Sequence, residues 1–198
     1  MPHVLNFSEL PTDSAFEVRS LLLGLPKEVE TRLLPLPQIL ERVRSASHFS
    51  ELSSKQDEPW LAAAYLRASL ADYCSIEEVQ KIDRPNTAHI KLTDLTNPLL
   101  HLLELMRHLN IHVKSSQAER GSIAASFDGS PFDLGIQIVS NLEARDLGEL
   151  RNGKHYAPTD LRDMVIWFKK AQLHWGAGYV VRLGTEALAE LICVHHGL

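Results

Sequence analysis

The chain has 198 residues, of which 44% are apolar, and its 20 basic and 25 acidic residues give a formal net charge of −5 at pH 7. This length accommodates one large domain, or one domain with a small accessory unit, around a packed core. The acidic balance argues against a protein that grips nucleic acid through bulk positive charge. The two cysteines, Cys74 and Cys193, have no zinc-ligand spacing, so we expect reduced thiols and no disulfide scaffold.

The N-terminal sequence MPHVLNFSELPTD lacks the basic start and the apolar run of a signal peptide. Apolar runs such as Leu61–Tyr65 are far too short to cross a bilayer. We therefore expect a soluble, cytoplasmic protein with no membrane association.

Short helices interrupted by prolines are predicted for residues 1–55. Ser14 and Glu17 have the spacing of a capping box ahead of an apolar run, and a second helix is predicted in the segment QILERVRSASHF. The polar stretch 50–59 is typical of a connection. A boundary near residue 55 would separate an N-terminal accessory segment from a larger unit, residues 56–198.

Two successive helices are predicted after this connection. The segment Trp60–Tyr73 is rich in alanine and leucine, which are strong helix formers. Ser75 and Glu78 form another capping box, which predicts that a new helix begins there. Pro85 then marks a loop.

The clearest helix start is Asn97 followed by Pro98, a capping residue and a first-turn proline. From there a helix is predicted to about Lys114. At roughly 100° per residue, one arc of this helix is apolar and the opposite arc is polar. The predicted core stripe is Leu99, Leu102, Met106, Leu109 and Val113, and the polar arc carries His101, Glu104, His108 and His112.

The second half of the chain begins with an insert of β-favouring residues around 121–142, in which we predict strands at Ser122–Phe127 and Phe132–Val139. A helix capped by Thr159 or Asp160 follows, and a last helix is predicted at about Tyr179–Val194. The predicted fold is therefore mainly α: a bundle of five or six helices with a short β-hairpin.

The segment Arg107-His108-Leu109-Asn110-Ile111-His112 is the part of the chain most suggestive of chemistry. Arginine offers a planar, permanent cation for phosphate, and histidine exchanges protons near neutral pH. On an ideal helix Arg107 and His112 are separated by roughly 140°. They could face one point if the helix ends near His112, or if a second copy supplies the missing half across a two-fold axis.

The pattern RHLNIH resembles the signature of the HEPN (higher eukaryotes and prokaryotes nucleotide-binding) superfamily, and LAAAYLRASLADY looks like the first helix of such bundles. The resemblance covers about residues 56–198. It implies a HEPN-like helical bundle that dimerises, with Arg107 and His112 at the signature positions and His108 at the polar position between them. Many members are metal-independent RNases of toxin–antitoxin or defence systems.

The resemblance implies an endoribonuclease that needs no metal or other cofactor. Its partners would be an RNA substrate, a second copy of the chain, and an antitoxin or regulatory protein, with no DNA expected. His112 would act as base or acid and Arg107 would hold the phosphate. The carboxylates of Asp72 and Glu104 are candidates for orienting a catalytic histidine.

Two alternatives remain open at this point. The same bundle could be a non-catalytic module that binds RNA, a nucleotide or a partner protein, which the acidic net charge slightly favours. The polar arc could instead hold a divalent metal. Its histidines and glutamate follow one another at spacings of three or four residues, which places them on one face of the helix. Neither a P-loop nor a GxGxxG or GxSxG sequence occurs.

Overall fold

The computed structural model describes residues 3–12, 25–112, 114–127 and 130–198. At positions 112, 125–127, 131, 132 and 134 it describes the backbone alone. The helix predicted behind Ser14 and Glu17 lies outside the described residues, as does Val113 of the predicted core stripe.

The described residues form seven α-helices and one two-stranded antiparallel sheet, which confirms a mainly helical fold with a small β-hairpin. In chain order they are α1 (Lys27–Leu33), α2 (Pro37–Lys55), α3 (Pro59–Asp83), α4 (Pro98–His112), β1 (Ala118–Phe127), β2 (Ser130–Val139), α5 (Ala144–Glu149), α6 (Pro158–Trp175) and α7 (Ala177–His195). Short 3₁₀ turns lie at Phe7–Glu9, Leu92–Asp94 and Gly153–His155.

Helices α2 and α3 form a tight antiparallel pair, and the connection between them is only three residues long. The predicted polar connection at 50–59 is therefore wrong over most of its length, because α2 continues to Lys55. The serines that suggested a loop are buried at this helix contact, and backbone carbonyls satisfy their hydroxyls. Ser53 donates to Ala62 O at 2.9 Å, and Ser50 donates to Ser47 O at 2.7 Å.

Helix α3 is continuous over 25 residues, so the helix start predicted at Ser75 is wrong. The Ser75 hydroxyl donates to Asp72 O at 2.8 Å within the same helix instead of capping a new one. A mid-helix serine is tolerated when its hydroxyl bonds to a carbonyl of the preceding turn. Neither glycine nor proline interrupts the segment.

Helix α4 begins as predicted, with Leu99 N donating to Asn97 Oδ1 at 2.9 Å. The described members of the predicted core stripe are at most 2% exposed, but three further leucines are also fully buried: Leu100, Leu103 and Leu105. This helix contacts α3, α5, α6 and α7 and is central to the molecule. It ends at His112, where Lys114 N donates to Leu109 O at 3.0 Å.

Removing the cap of α4 gives a first stability prediction. We expect Asn97→Ala to lower the free energy of unfolding by about 0.5–2 kcal/mol, because the first turn loses its side-chain acceptor. Urea denaturation of the two proteins measures the difference. Asn97→Asp, which keeps an acceptor at the same place, should retain most of the wild-type stability; an equal loss in both variants would contradict the capping role.

The β-hairpin and the last two helices meet at a sharp corner. The strands pair from Ala118 with Val139 at the base to Phe127 with Ser130 at the tip. Gly176 joins α6 to α7 with a φ of +81°, a conformation that L side chains rarely adopt.

The predicted cap of α6 at Thr159 or Asp160 is wrong, because the helix begins at Pro158 and Ala157 is the cap residue.

The division at residue 55 stays a prediction. Helices α1 and α2 lie on its N-terminal side, and they contribute Leu33, Leu36, Ile39 and Val43 to the same hydrophobic core as α4 and α7. Among the described residues, no helix is both long and apolar enough to cross a membrane.

Candidate functional site

The last two turns of α4 carry Arg107 and His108 at the edge of the helical core. Arg107 is half-buried, and its Nη1 donates to His108 Nδ1 at 3.4 Å. Among the described residues, its buried Nε has no hydrogen-bond partner, and no carboxylate oxygen lies within 4.0 Å of the guanidinium. The arginine is therefore a cation with unused donor capacity beside an imidazole.

His108 links this arginine to Glu104, one turn earlier on α4. Since an arginine can only donate, the contact makes Nδ1 of His108 the acceptor and leaves the proton of a neutral ring on Nε2. Nε2 lies 3.7 Å from Glu104 Oε1, so protonation of His108 would form an ion pair there. Arg107, His108 and Glu104, which we call the α4 cluster, thus form one chain of contacts.

Glu104 lies in an environment that favours its neutral form. Burial raises the pKa of this carboxyl above its ordinary value, and the negative charge of Glu77 on α3 raises it further. The Asn152 side chain and the positive charge of Arg107 oppose that rise in pKa. A carboxyl with a raised pKa beside an imidazole is a common arrangement for proton transfer.

The raised pKa of Glu104 predicts a pH dependence of stability. A carboxyl whose pKa is higher in the folded than in the unfolded state stabilises the fold. The contribution is complete at a pH below the unfolded-state pKa and is lost as the pH rises through the folded-state pKa. Glu104→Gln removes the titration. We therefore expect the unfolding free energy of the variant, relative to wild type, to be higher at pH 7.5 than at pH 4.5. A difference with the opposite slope in denaturation experiments would contradict the assignment.

Cys74 of α3 lies close enough to the α4 cluster to interact with its charges. Burial above all, and to a lesser extent the negative charge of Glu104, raises the pKa of this thiol to about 12, while the positive charge of Arg107 opposes the rise. The thiol is therefore protonated near neutral pH, which argues against a thiolate nucleophile at this position. Both cysteines of the chain are free, as expected from the sequence.

Asp72, the other candidate carboxylate, lies on a different side of α3. It accepts hydrogen bonds from Arg42 Nη1 at 3.0 Å and from the Ser45 hydroxyl, both on α2. Asp72 and Cys74 are two positions apart in α3. Because each residue of an α-helix is rotated by about 100° from the one before, their side chains point in nearly opposite directions. Of the two carboxylates chosen from the sequence, Glu104 belongs to the α4 cluster and Asp72 contacts α2.

His101 belongs to the core and not to an exposed polar arc. It is fully buried, with Nε2 at 2.8 Å from Leu95 O and Nδ1 at 2.7 Å from the Tyr156 hydroxyl. Since a carbonyl only accepts, Nε2 carries the proton and the Tyr156 hydroxyl donates to Nδ1. Burial lowers the pKa of His101, which keeps the ring neutral. Both ring nitrogens are occupied, so His101 has no nitrogen left for a metal shared with His108.

His112 is the last residue of α4, and its side chain lies outside the described atoms. The end of the helix at this residue meets one of the two conditions for Arg107 and His112 to approach a common point.

In the part of the chain that the structure describes, no group of three His, Cys, Asp or Glu side chains is placed to hold one metal ion.

In comparisons with known proteins, no family model, no curated protein and no solved structure matches the chain. Its function must therefore be argued from the geometry of its own residues.

The α4 cluster combines an arginine that can hold an anion, an imidazole that can exchange a proton, and a carboxyl that can accept one. Sequence reasoning did not identify Glu77 and Asn152 as part of this site. Glu77 raises the pKa of Glu104, and the Asn152 side chain lowers it. Asn152 follows β2 and α5 in the chain and comes near Glu104 only in the folded molecule. No local sequence signal distinguishes it from an ordinary loop asparagine.

Proposed function

We propose that the chain is a HEPN-like, metal-independent endoribonuclease of a toxin or defence system, with a site built from the Arg107–His112 segment and completed by dimerisation. One observation carries the proposal. The half-buried Arg107 guanidinium has donors to spare and no salt-bridge carboxylate among the described residues. Such an arginine is suited to hold a phosphodiester.

The histidines supply the proton transfers that the reaction needs. A base removes the proton of the ribose 2′-hydroxyl, the 2′-oxygen attacks phosphorus, and the bond from phosphorus to the 5′-oxygen breaks. An acid protonates that 5′-oxygen. The products are a 2′,3′-cyclic phosphate and a 5′-hydroxyl. His112 acts as one of the two groups, and Arg107 stabilises the charge on the phosphorane.

His108 and Glu104 support this chemistry from the preceding turn. His108 accepts from Arg107 and lies 3.7 Å from Glu104. A proton delivered to His108 would occupy Nδ1 in place of the Arg107 contact, and the Glu104 carboxylate would then face a charged imidazole. The two residues position Arg107 and give the site a second proton-exchanging group.

Dimerisation through the end of α4 would bring two copies of the segment together. Ile111 lies between the signature residues and is 54% exposed, so its side chain is available for an apolar contact with a second chain. A two-fold axis there would let Arg107 of one protomer and His112 of the other share a phosphate.

Incubating the purified protein with RNA in EDTA tests the proposal. The expected result is cleavage without metal that leaves 2′,3′-cyclic phosphate ends, detected by end-specific labelling, from a protein that sedimentation shows to be dimeric. Binding of RNA, a nucleotide or a protein without any cleavage would assign the chain to the non-catalytic alternative. No cleavage and no binding of RNA would contradict both.

A further inference from the structure

Asn110, inside the Arg107–His112 segment, has no part in the proposed proton transfers, but its side chain joins two parts of the chain. Nδ2 donates to Met106 O at 2.8 Å, one turn earlier in α4. Oδ1 accepts from Ser116 N at 2.7 Å, four residues after the helix ends. One amide thus ties the last turn of α4 to the segment that leads into β1.

The segment after α4 is held in place by further contacts. Lys114 N donates to Leu109 O at 3.0 Å, a bond across five residues of the kind that ends helices, and the Lys114 side chain pairs with Asp146 of α5. Ser116 is only 6% exposed, and a donor in a buried residue costs free energy when it loses its acceptor. Among these contacts, that of Asn110 is the one made by a side chain of α4 itself.

The position of the His112 backbone depends on how α4 ends, because His112 is the last residue of that helix. Asparagine favours a helix end, since its amide competes with the backbone for hydrogen bonds. Alanine at position 110 would favour continued helix and would remove both contacts. Each further helical residue would then turn the chain by about 100°. A misplacement of about 1 Å in a group that acts on a substrate can lower a rate by about 10²-fold.

We propose that Asn110 is a positioning residue for His112: its amide fixes the end of α4, and with it the backbone that carries the imidazole. Asn110 acts through His112 and exchanges no proton itself. Its effect on the rate rests on the proposed ribonuclease function, and it is the same in a site shared between two chains, because each His112 belongs to its own α4. Its effect on the place of His112 does not depend on that function.

Kinetics of RNA cleavage in EDTA test the role of Asn110 in the reaction. We expect Asn110→Ala to lower kcat about 10- to 10²-fold and to leave KM within about twofold, since Arg107 still holds the phosphate. Asn110→Leu, which fills a similar space without either hydrogen bond, is expected to behave alike and keeps the test valid if the smaller side chain disturbs folding. Unchanged kcat in both variants, with or without a rise in KM, would overturn the assignment.

Asn141→Ala is the matched control. Asn141 is also half-buried and makes two bonds of the same kinds to the same connection: Oδ1 accepts from Gln117 N at 2.9 Å, and Nδ2 donates to Ser115 O at 3.0 Å. These two bonds do not reach α4, so we expect a kcat within about twofold of wild type. Equal losses of kcat in Asn141→Ala and Asn110→Ala would overturn the inference, because the whole connection and not the end of α4 would then set the rate.

Nuclear magnetic resonance of protein with labelled histidine rings tests the place of His112 without RNA. The ring signals of His112 are those missing from His112→Ala. We expect them to shift in Asn110→Ala and to keep their wild-type positions in Asn141→Ala. Unchanged His112 signals in Asn110→Ala would overturn the inference. Absence of cleavage by the wild-type protein together with the expected shift would instead refute the proposed ribonuclease and leave Asn110 as the residue that places His112.

Discussion

Arg107→Ala and His112→Ala are each expected to lower metal-free RNA cleavage by about 10²- to 10⁴-fold. Loss of a positioned acid or base and loss of a donor that stabilises transition-state charge both have effects of this size. The measurement is the initial rate of cleavage of a labelled RNA in EDTA. Because the two groups act on one phosphate, the double variant should be little worse than either single variant.

Matched variants separate catalysis from folding and from bulk charge. Arg162 and His174 are exposed residues of α6 and are not members of the α4 cluster. Arg162→Ala and His174→Ala should cleave RNA at the wild-type rate. Circular dichroism and sedimentation should show the wild-type fold and assembly for Arg107→Ala and His112→Ala. Wild-type cleavage rates in the two signature variants would refute the proposed site.

Leu103→Ala is expected to cause the largest loss of stability, about 2–5 kcal/mol in the free energy of unfolding. Leu103 is fully buried in α4, and its side chain fills the space above Gly184, where a Cβ would overlap Leu103 Cδ1. Truncation leaves a cavity between α4 and α7 that the rigid helix backbones cannot close. Urea denaturation with linear extrapolation gives the difference.

Leu173→Ala is the control for this stability prediction. Leu173 is 57% exposed on α6, so the same truncation removes little buried surface and should change stability by less than about 0.5–1 kcal/mol. If the two leucine variants lost equal stability, the central position of α4 in the core would be contradicted.

Much of the helical structure could be predicted from the sequence because its signals are local. Asn97 and Pro98 fix the start of α4 through contacts within the first turn, and short β-favouring runs separated by turn residues predict the hairpin. The proximity of Arg107 and His108 also follows from their adjacency. These features depend on neighbouring residues alone, so they are present in the sequence before any helix packs on another.

Only the tertiary structure decided the rest, because burial and distant partners change what a residue can do. Serines that resemble a loop continue α2, since carbonyls of α3 and of their own helix satisfy them. His101 leaves the predicted polar arc for the core, where Tyr156 and Leu95 occupy its nitrogens. The pKa of Glu104 depends on Glu77 and Asn152, which lie far from it in the chain. The contact of the Gln137 side chain with Gln56 O joins β2 to the end of α2, and it too exists only in the packed molecule.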